Sequence, residues 1–158
     1  MIIQKIIAKL FLPDKLSKLI LVALNDLEKV EKDEKYKVDM GQWHHPPLYN
    51  GPCAVCLAGA VIAKTCKTSY KKDLMPGDFF ENEVKKFNAL DLVRQGEIFR
   101  ALIKLGVDEK NARECQDKLW RVLNLYPKDW VNYWNDDDKK IFKDNLRRIS
   151  KFLKDEGY

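Results

Sequence analysis

No stretch of the chain approaches the ~20 consecutive apolar residues that a bilayer-spanning helix needs. No block of like charge is long enough to form a nucleic-acid-binding tail. The 29 basic and 24 acidic residues alternate along the chain instead, which is typical of solvated helix faces. The sequence therefore predicts no membrane span and no extended nucleic-acid surface, while the formal charge of +5 is compatible with a small anionic partner.

The start of the chain lacks the features of a secretion signal. Lys5 and Lys9 interrupt its apolar residues, and no small-residue cleavage site follows them. Three of the four cysteines, Cys53, Cys56 and Cys66, lie within one probable helix, which is poor geometry for a disulfide framework. We therefore expect a short amphipathic helix at the start, reduced thiols and a cytoplasmic location.

Most of the chain carries helical periodicity, and no internal repeat is present. After Pro13, apolar residues recur at steps of three and four as far as Val30, which predicts a helix with one buried stripe. Further helices are predicted over "MPGDFFENEVKKFNAL", "LDLVRQGEIFRALIKLG", "EKNARECQDKLWRVLNL" and "DDDKKIFKDNLRRISKFLKDEGY". The sequence therefore predicts an all-α fold, a single domain over residues 1–158, with five to seven helices.

The predicted helix ends depend on a few residues with capping chemistry. Asp78 and Asp108 are predicted N-caps, since a short acidic side chain can accept from free amides of the first turn. Gly106 and Pro127 are predicted to end helices. Gly96 lies in the middle of a predicted helix, where glycine costs about 1 kcal/mol relative to alanine.

Residues 53–66, "CAVCLAGAVIAKTC", are small and apolar on every side. A helix that is apolar all round is a buried one, so this segment is predicted to be the central helix of the bundle. A buried parallel strand is the competing interpretation, although Ala and Gly pack poorly on a pleated surface. The preceding "MGQWHHPPLYNGP" is rich in Pro and Gly, which predicts an irregular loop.

This loop and the predicted helix start together suggest a ligand pocket. Free amides at a helix N-terminus suit a phosphate or carboxylate, and flat side chains can stack on a base. The leading prediction is a non-enzymatic protein that binds a nucleotide-like or other small anionic ligand, without a cofactor. The competing interpretation is that Trp43 fills the core and the histidines merely follow it. The predicted ligand-binding residues are Trp43, His44, His45, Tyr49, Asn50 and Cys53.

A cysteine-dependent hydrolase or transferase is the first alternative. Cys53 would open the predicted helix, where the dipole favours a thiolate, and His44 or His45 could act as base. A likeness to papain-type enzymes through Gln42 fails, because both histidines precede the cysteine. The competing interpretation is that Cys53 and Cys56 pack inward as small hydrophobic residues.

A metal site is a weaker alternative. Cys53-x-x-Cys56 with His44 and His45 offers four ligands, the number that zinc takes. No second Cys-x-x-Cys is present, and adjacent histidines rarely reach one ion together. The sequence therefore predicts no metal.

The aromatic-rich segment "LWRVLNLYPKDWVNYW" supports a third kind of function. It holds Trp120, Trp130, Tyr133 and Trp134, more large rings than a small core normally needs. Core packing is the simpler interpretation. The alternative is a subunit interface or a protein-interaction module acting on a host protein, because aromatic residues are enriched at such surfaces.

Two short motifs carry a resemblance. One is the Asp-Met-x-x-Trp segment of Asp39, Met40 and Trp43, and the other is the Cys-x-x-Cys-Leu-Ala-Gly segment that ends at Gly59. Together they resemble a group of small bacteriophage and bacterial proteins, over residues 24–65 and more loosely over "FNALDLVRQGEIFRAL". The resemblance implies a phage or prophage origin and the host cytoplasm, without naming a reaction. It also suggests a counter-defence protein that sequesters a nucleotide signal, by analogy alone.

Overall fold

The computed structural model describes residues 12–46, 49–125 and 135–158. Within these ranges the chain forms six α-helices and a small three-stranded sheet. The helices are α1 (Leu16–Glu31), α2 (Leu57–Lys64), α3 (Glu81–Arg94), α4 (Ile98–Lys104), α5 (Glu109–Leu123) and α6 (Asp136–Asp155). The strands are β1 (Tyr36–Val38), β2 (His44–His45) and β3 (Cys53–Val55). The fold is largely helical, and the prediction of a purely all-α class is wrong because of this sheet.

The first and last described helices follow their sequence patterns. The apolar stripe of α1 from Leu16 to Val30 is buried, and α1 packs against α2 and α6. In α6, Asn135 caps the first turn by accepting the Asp138 N–H at 2.9 Å. Ile141 is 46% exposed, and the buried stripe of α6 begins at Phe142.

Two of the predicted helix ends are confirmed. Asp108 caps α5, since its Oδ1 accepts the Asn111 N–H at 2.9 Å. Gly106 follows the end of α4 with a φ of +91°, a conformation that glycine adopts without steric cost. Pro127 and residues 1–11, which hold most of the predicted amphipathic helix at the start of the chain, lie outside the described residues.

Two other helix boundaries differ from the prediction. Gly96 has a φ of +80° and separates α3 from α4, so the predicted helix through it is two helices. Asp78 is not the N-cap of α3, which begins later, at Glu81. The Asp78 side chain instead accepts the Met75 N–H at 2.8 Å and stabilises a short 3₁₀ turn at Pro76–Asp78.

The central segment is the largest departure from the prediction. Residues 53–55 are a strand, parallel to β1 and antiparallel to β2, so the sheet order is β1-β3-β2. The Cys53 N–H donates to the Lys35 carbonyl at 2.8 Å, and the Asp39 N–H donates to the Val55 carbonyl at 2.8 Å. Pairing on both sides of β3 provides hydrogen-bond partners for its buried N–H and C=O groups. This is why residues 53–55, which were predicted to be helical, are extended.

The buried small-residue helix is confirmed, but it starts at Leu57 and ends at Lys64. All residues from Leu57 to Ala63 are buried, against α1 on one side and α3 and the sheet on the others. Cys56 is its N-cap, and the Cys56 sulfur accepts the Gly59 N–H at 3.4 Å. Of the helices that the structure describes, none combines the length and apolar character needed to cross a membrane.

Candidate functional site

A tight turn ahead of β2 positions the candidate site. The Asp39 side chain accepts the Gly41 N–H at 2.9 Å, and the Asp39 carbonyl accepts the Gln42 N–H at 3.1 Å. An aspartate that bonds the backbone two residues on is a common way to form such a turn. Met40 is buried in the core beside the turn. The Asp-Met-x-x-Trp motif therefore anchors the chain on both sides before Trp43.

The two histidines lie on opposite faces of the short strand β2, as the strand's period of two requires. His44 pairs with Val55 of β3 and is fully buried, whereas the His45 side chain is 45% exposed. On the outer side of β2, the Leu74 N–H donates to the His44 carbonyl at 3.0 Å. The segment that ends at Leu74 therefore runs antiparallel beside the histidines.

A cleft of about 400 Å³ lies between these two segments, and we call it the Trp43 cleft. One side consists of Gln42, Trp43, His44 and His45, and the other of Asp73, Leu74, Met75 and Pro76, with Asn88 of α3 completing it. Trp43 is half-buried and makes an edge-to-face contact with Phe87, with ring centroids 5.7 Å apart. The Trp43 ring therefore packs against the core and also lines the cleft.

The cleft contains a histidine and an aspartate in close contact. Nδ1 of His45 lies 3.2 Å from Oδ1 of Asp73, and both side chains are about half exposed. None of the described lining residues is Lys or Arg. The cleft therefore offers a carboxylate, an imidazole and two amides to a ligand, and no permanent positive charge.

His44 and Cys53 form a second, buried pair behind the cleft. The Cys53 sulfur lies 3.6 Å from Nδ1 of His44 and 3.9 Å from Nε2. Nδ1 lies 2.8 Å from the Lys72 carbonyl, and Nε2 lies 3.3 Å from the Thr68 hydroxyl oxygen. Because a carbonyl oxygen can only accept, Nδ1 carries the proton of the neutral ring and Nε2 carries none. The Thr68 hydroxyl donates its own proton to the Ile62 carbonyl at 2.9 Å.

The protonation states of His44 and Cys53 do not favour a reactive thiolate. Burial lowers the pKa of His44, although the Lys72 carbonyl acts in the other direction. Burial raises the pKa of the Cys53 thiol to about 11. Both groups are therefore uncharged at neutral pH, and neither residue has any exposed surface. A catalytic cysteine needs a depressed pKa and access to solvent, so the arrangement is that of a packed thiol.

The structure separates the six predicted ligand-binding residues. Trp43, His44 and His45 line the cleft. Tyr49, which is 87% exposed, and Asn50 do not line it. Cys53 lies behind His44, and its amide is paired with Lys35. The prediction of free helix amides at Cys53 is therefore wrong, because the helix begins four residues later.

The sequence reasoning missed six residues that line the cleft: Gln42, Asp73, Leu74, Met75, Pro76 and Asn88. Asp73 lies in the polar segment "YKKDLMPGD", where nothing distinguishes it from other loop carboxylates. Its position beside His45 follows from strand pairing across about thirty residues of chain. Asn88 is one polar residue among several on α3.

The metal site and the aromatic-rich segment were the remaining candidates from the sequence. In the described ranges, no three His, Cys, Asp or Glu side chains are placed to share a metal ion. Trp120 packs against the core from α5. Trp130, Tyr133 and Trp134 lie outside the described residues, so the predicted aromatic surface stays a prediction.

Comparison of the chain with protein-family models, with curated proteins and with solved structures finds no match.

Proposed function

We propose that the protein binds a small, flat, polar ligand of the nucleobase type in the Trp43 cleft. The observation that carries this proposal is the grouping of the Trp43 and His45 rings with a carboxylate and two amides around one cavity. A volume of about 400 Å³ lies in the range of small-molecule sites. Rings provide contact area, and a few polar groups orient the ligand within it.

The chemistry of the lining favours recognition of a base over recognition of a phosphate. Asp73 would repel a phosphate, and no lysine or arginine among the described lining residues would offset that repulsion. The nucleotide-like part of the sequence prediction therefore gains support from the cleft. The anionic part loses the helix-terminal amides on which it depended.

A thiol reaction at Cys53 has less support than binding. The close approach of Cys53 to His44 is the arrangement that a thiol enzyme needs. However, the raised pKa keeps the Cys53 thiol protonated at neutral pH. Its full burial also keeps a substrate away from the sulfur. The proposal is therefore a binding protein that leaves its ligand unchanged.

The biological setting belongs to the same proposal. The resemblance carried by the two sequence motifs implies a phage or prophage origin, and a role in sequestering a nucleotide signal is proposed by analogy with that setting. A sequestering protein needs only a site that holds its ligand, and the Trp43 cleft would supply one. The assembly state and a host protein partner are separate questions, for which the aromatic-rich segment is the motivation.

The test is a thermal-shift panel of nucleosides, nucleotides and cyclic dinucleotides with the purified protein. A ligand present at a hundred times its Kd stabilises the folded state by about 2.7 kcal/mol. Met75→Ala, which truncates a lining side chain, should weaken binding, whereas Tyr49→Ala should leave it unchanged. A flat panel, or a ligand whose affinity responds to Tyr49→Ala and not to Met75→Ala, contradicts the proposal.

A further inference from the structure

We infer that the Trp43 cleft selects a positively charged flat heterocycle, one whose charge is spread over the ring, such as an N-alkylated nucleobase. This inference rests on the proposed function and deepens it by naming the charge of the ligand. It depends on a carboxylate and an indole ring that line one cavity, and on the absence of lysine and arginine from the described lining.

The first step is the charge of the lining. Asp73 is the one carboxylate among the described residues that line the cleft, and none of those residues is Lys or Arg. His44 is uncharged, because burial lowers its pKa. His45 carries a charge only when it is protonated. Above the ordinary imidazole pKa of about 6.5, the described lining is therefore negative.

The second step is the availability of the Asp73 carboxylate. Its side chain is 57% exposed, so a ligand in the cleft can reach it. Among the residues that the structure describes, no lysine or arginine lies within ion-pair distance of Asp73. The charge is also felt behind the cleft, since burial raises the pKa of the Cys53 thiol to about 11 and the Asp73 carboxylate adds to that rise. A carboxylate without a permanent cation beside it attracts a positively charged ligand and repels an anion.

The lysines closest to the cleft in the chain or on α3 do not line it. Nζ of Lys71 lies over the Tyr70 ring, 5.7 Å from its centroid. Lys72 is exposed and is not among the lining residues. On α3, Nζ of Lys85 lies 3.5 Å from the Glu81 carboxylate. A ligand in the cleft therefore meets the carboxylate without a competing ammonium group in the described lining.

The third step is the ring that the ligand contacts. The Trp43 indole lines the cleft and is supported from behind by its edge-to-face contact with Phe87. Tryptophan attracts a cation more strongly than the other aromatic side chains, because the faces of its ring carry partial negative charge. A heterocyclic cation can stack on the indole and lie beside the carboxylate, whereas a compact ammonium group presents no flat face to the ring. The amides of Gln42 and Asn88 can donate or accept, so they can orient the rest of the base.

The test compares ligands that differ in charge and little in shape. We would titrate adenosine, 1-methyladenosine and N6-methyladenosine into the wild-type protein near pH 7.5, where most imidazoles are uncharged. Both derivatives carry one added methyl group, but only 1-methyladenosine is a cation at this pH. Binding would be followed by calorimetry and by the NMR signals of the Trp43 indole. 1-Methyladenosine should bind more tightly than either neutral nucleoside by about tenfold or more, and added salt should reduce the difference.

A variant tests the carboxylate, and a second cation tests the ring. Asp73→Asn removes the charge and keeps the shape, so the preference for 1-methyladenosine over N6-methyladenosine should fall below about threefold. Asp117→Asn, at an exposed carboxylate on α5, changes the net charge equally and should leave the preference unchanged. Choline, a compact cation without a ring, should bind the wild-type protein more weakly than 1-methyladenosine by about tenfold or more. The wild-type series needs no variant, so it decides the question even if a substitution impairs folding.

The outcomes separate the inference from the proposed function. If N6-methyladenosine binds in the cleft as tightly as 1-methyladenosine, or if the preference survives in Asp73→Asn, the charge inference is wrong and the ligand-binding proposal stands. Equal binding of choline and 1-methyladenosine would overturn the assignment of a flat heterocycle. If neither the charged nor the neutral nucleosides change the Trp43 signal, the inference and the proposed function are both wrong.

Discussion

The carbonyl oxygen of Trp43 lies 1.6 Å from the position that a Cβ atom on Gly59 would occupy. The same Cβ would also lie 2.8 Å from the Trp43 carbonyl carbon and 2.9 Å from Cβ of Val55. Helix α2 therefore packs directly against the backbone that leads into β2, and only glycine permits this approach. The two sequence motifs, which are separated by a loop, meet at this contact.

Replacing Gly59 by alanine should cost about 3 kcal/mol or more of unfolding free energy, or prevent folding, because the obstacle is backbone and cannot rotate away. Urea denaturation measures the loss. Gly77→Ala is the matched control, since a Cβ there meets nothing within 4 Å, and its effect should stay within about 0.5 kcal/mol. Equal stability of the two variants would contradict the contact.

Lys86 ties α3 to the chain that precedes α1. Its Nζ donates to the Leu12 carbonyl at 2.8 Å and to Oδ1 of Asp14 at 2.9 Å. Lys86 is buried, whereas the Asp14 side chain is 94% exposed. The carbonyl contact should therefore matter more than the ion pair, because solvent screens an exposed carboxylate.

Lys86→Met keeps the side-chain stem and removes the donor, so it should lower the unfolding free energy by about 1.5–3 kcal/mol. Asp14→Ala should lower it by less than about 1 kcal/mol. Chemical denaturation of both variants checks the difference. A larger loss from Asp14→Ala than from Lys86→Met would show that the ion pair carries the stabilisation.

The Cys53 thiol should resist alkylation in the folded protein. With a pKa raised to about 11 by burial, roughly one Cys53 thiol in a thousand is ionised near pH 8, and that fraction is shielded from solvent. Iodoacetamide treatment followed by peptide mass spectrometry measures this, with urea-unfolded protein as the control in which all four cysteines react. Rapid modification confined to Cys53 near neutral pH would revive the thiol-enzyme alternative.

The folded protein should lose stability in mild acid through His44. Burial lowers the pKa of His44 from its ordinary 6.5, so the unfolded chain binds the proton more readily than the folded one. The contribution of His44 is complete above about pH 6.5 and declines as the pH falls towards the lower native pKa, by at most about 1.4 kcal/mol per pH unit.

Urea denaturation between pH 5 and pH 8 gives the slope, and His44→Gln, which keeps an N–H for the Lys72 carbonyl, should flatten it. The ring nitrogen signals of His44 provide a second measurement and should show the proton on Nδ1 at neutral pH. A positively charged His44 ring at pH 6.5, or an unchanged slope in the variant, would count against this prediction.

The site was predictable only in part, and the reason differs between residues. Trp43 and His45 stand out as rare side chains in a Pro- and Gly-rich stretch ahead of a small apolar segment, and both line the cleft. Tyr49 and Asn50 share that loop but not the cleft, because composition does not indicate where a loop turns. Asp73 has an ordinary sequence context, and only its pairing beside β2 makes it part of the site.

The sequence by itself determined the helices in which buried residues recur at regular spacing along the chain. The stripes of α1 and α6, the cap of α5 at Asp108 and the burial of residues 57–63 are all local consequences of side-chain order. A helix needs partners only three or four residues away, so a short window of sequence contains most of what it requires.

Tertiary structure alone decided the strand at Cys53 and the meeting of His45 with Asp73. Residues 53–55 carry a helical pattern, but strands 36–38 and 44–45 supply hydrogen bonds on both sides of their backbone. Those strands are remote in sequence, so residues 53–55 themselves show no alternating pattern of apolar and polar residues that would reveal the pairing. A backbone that is buried between two such edges takes the extended form, because unpaired N–H and C=O groups there would cost more than the local helical preference provides.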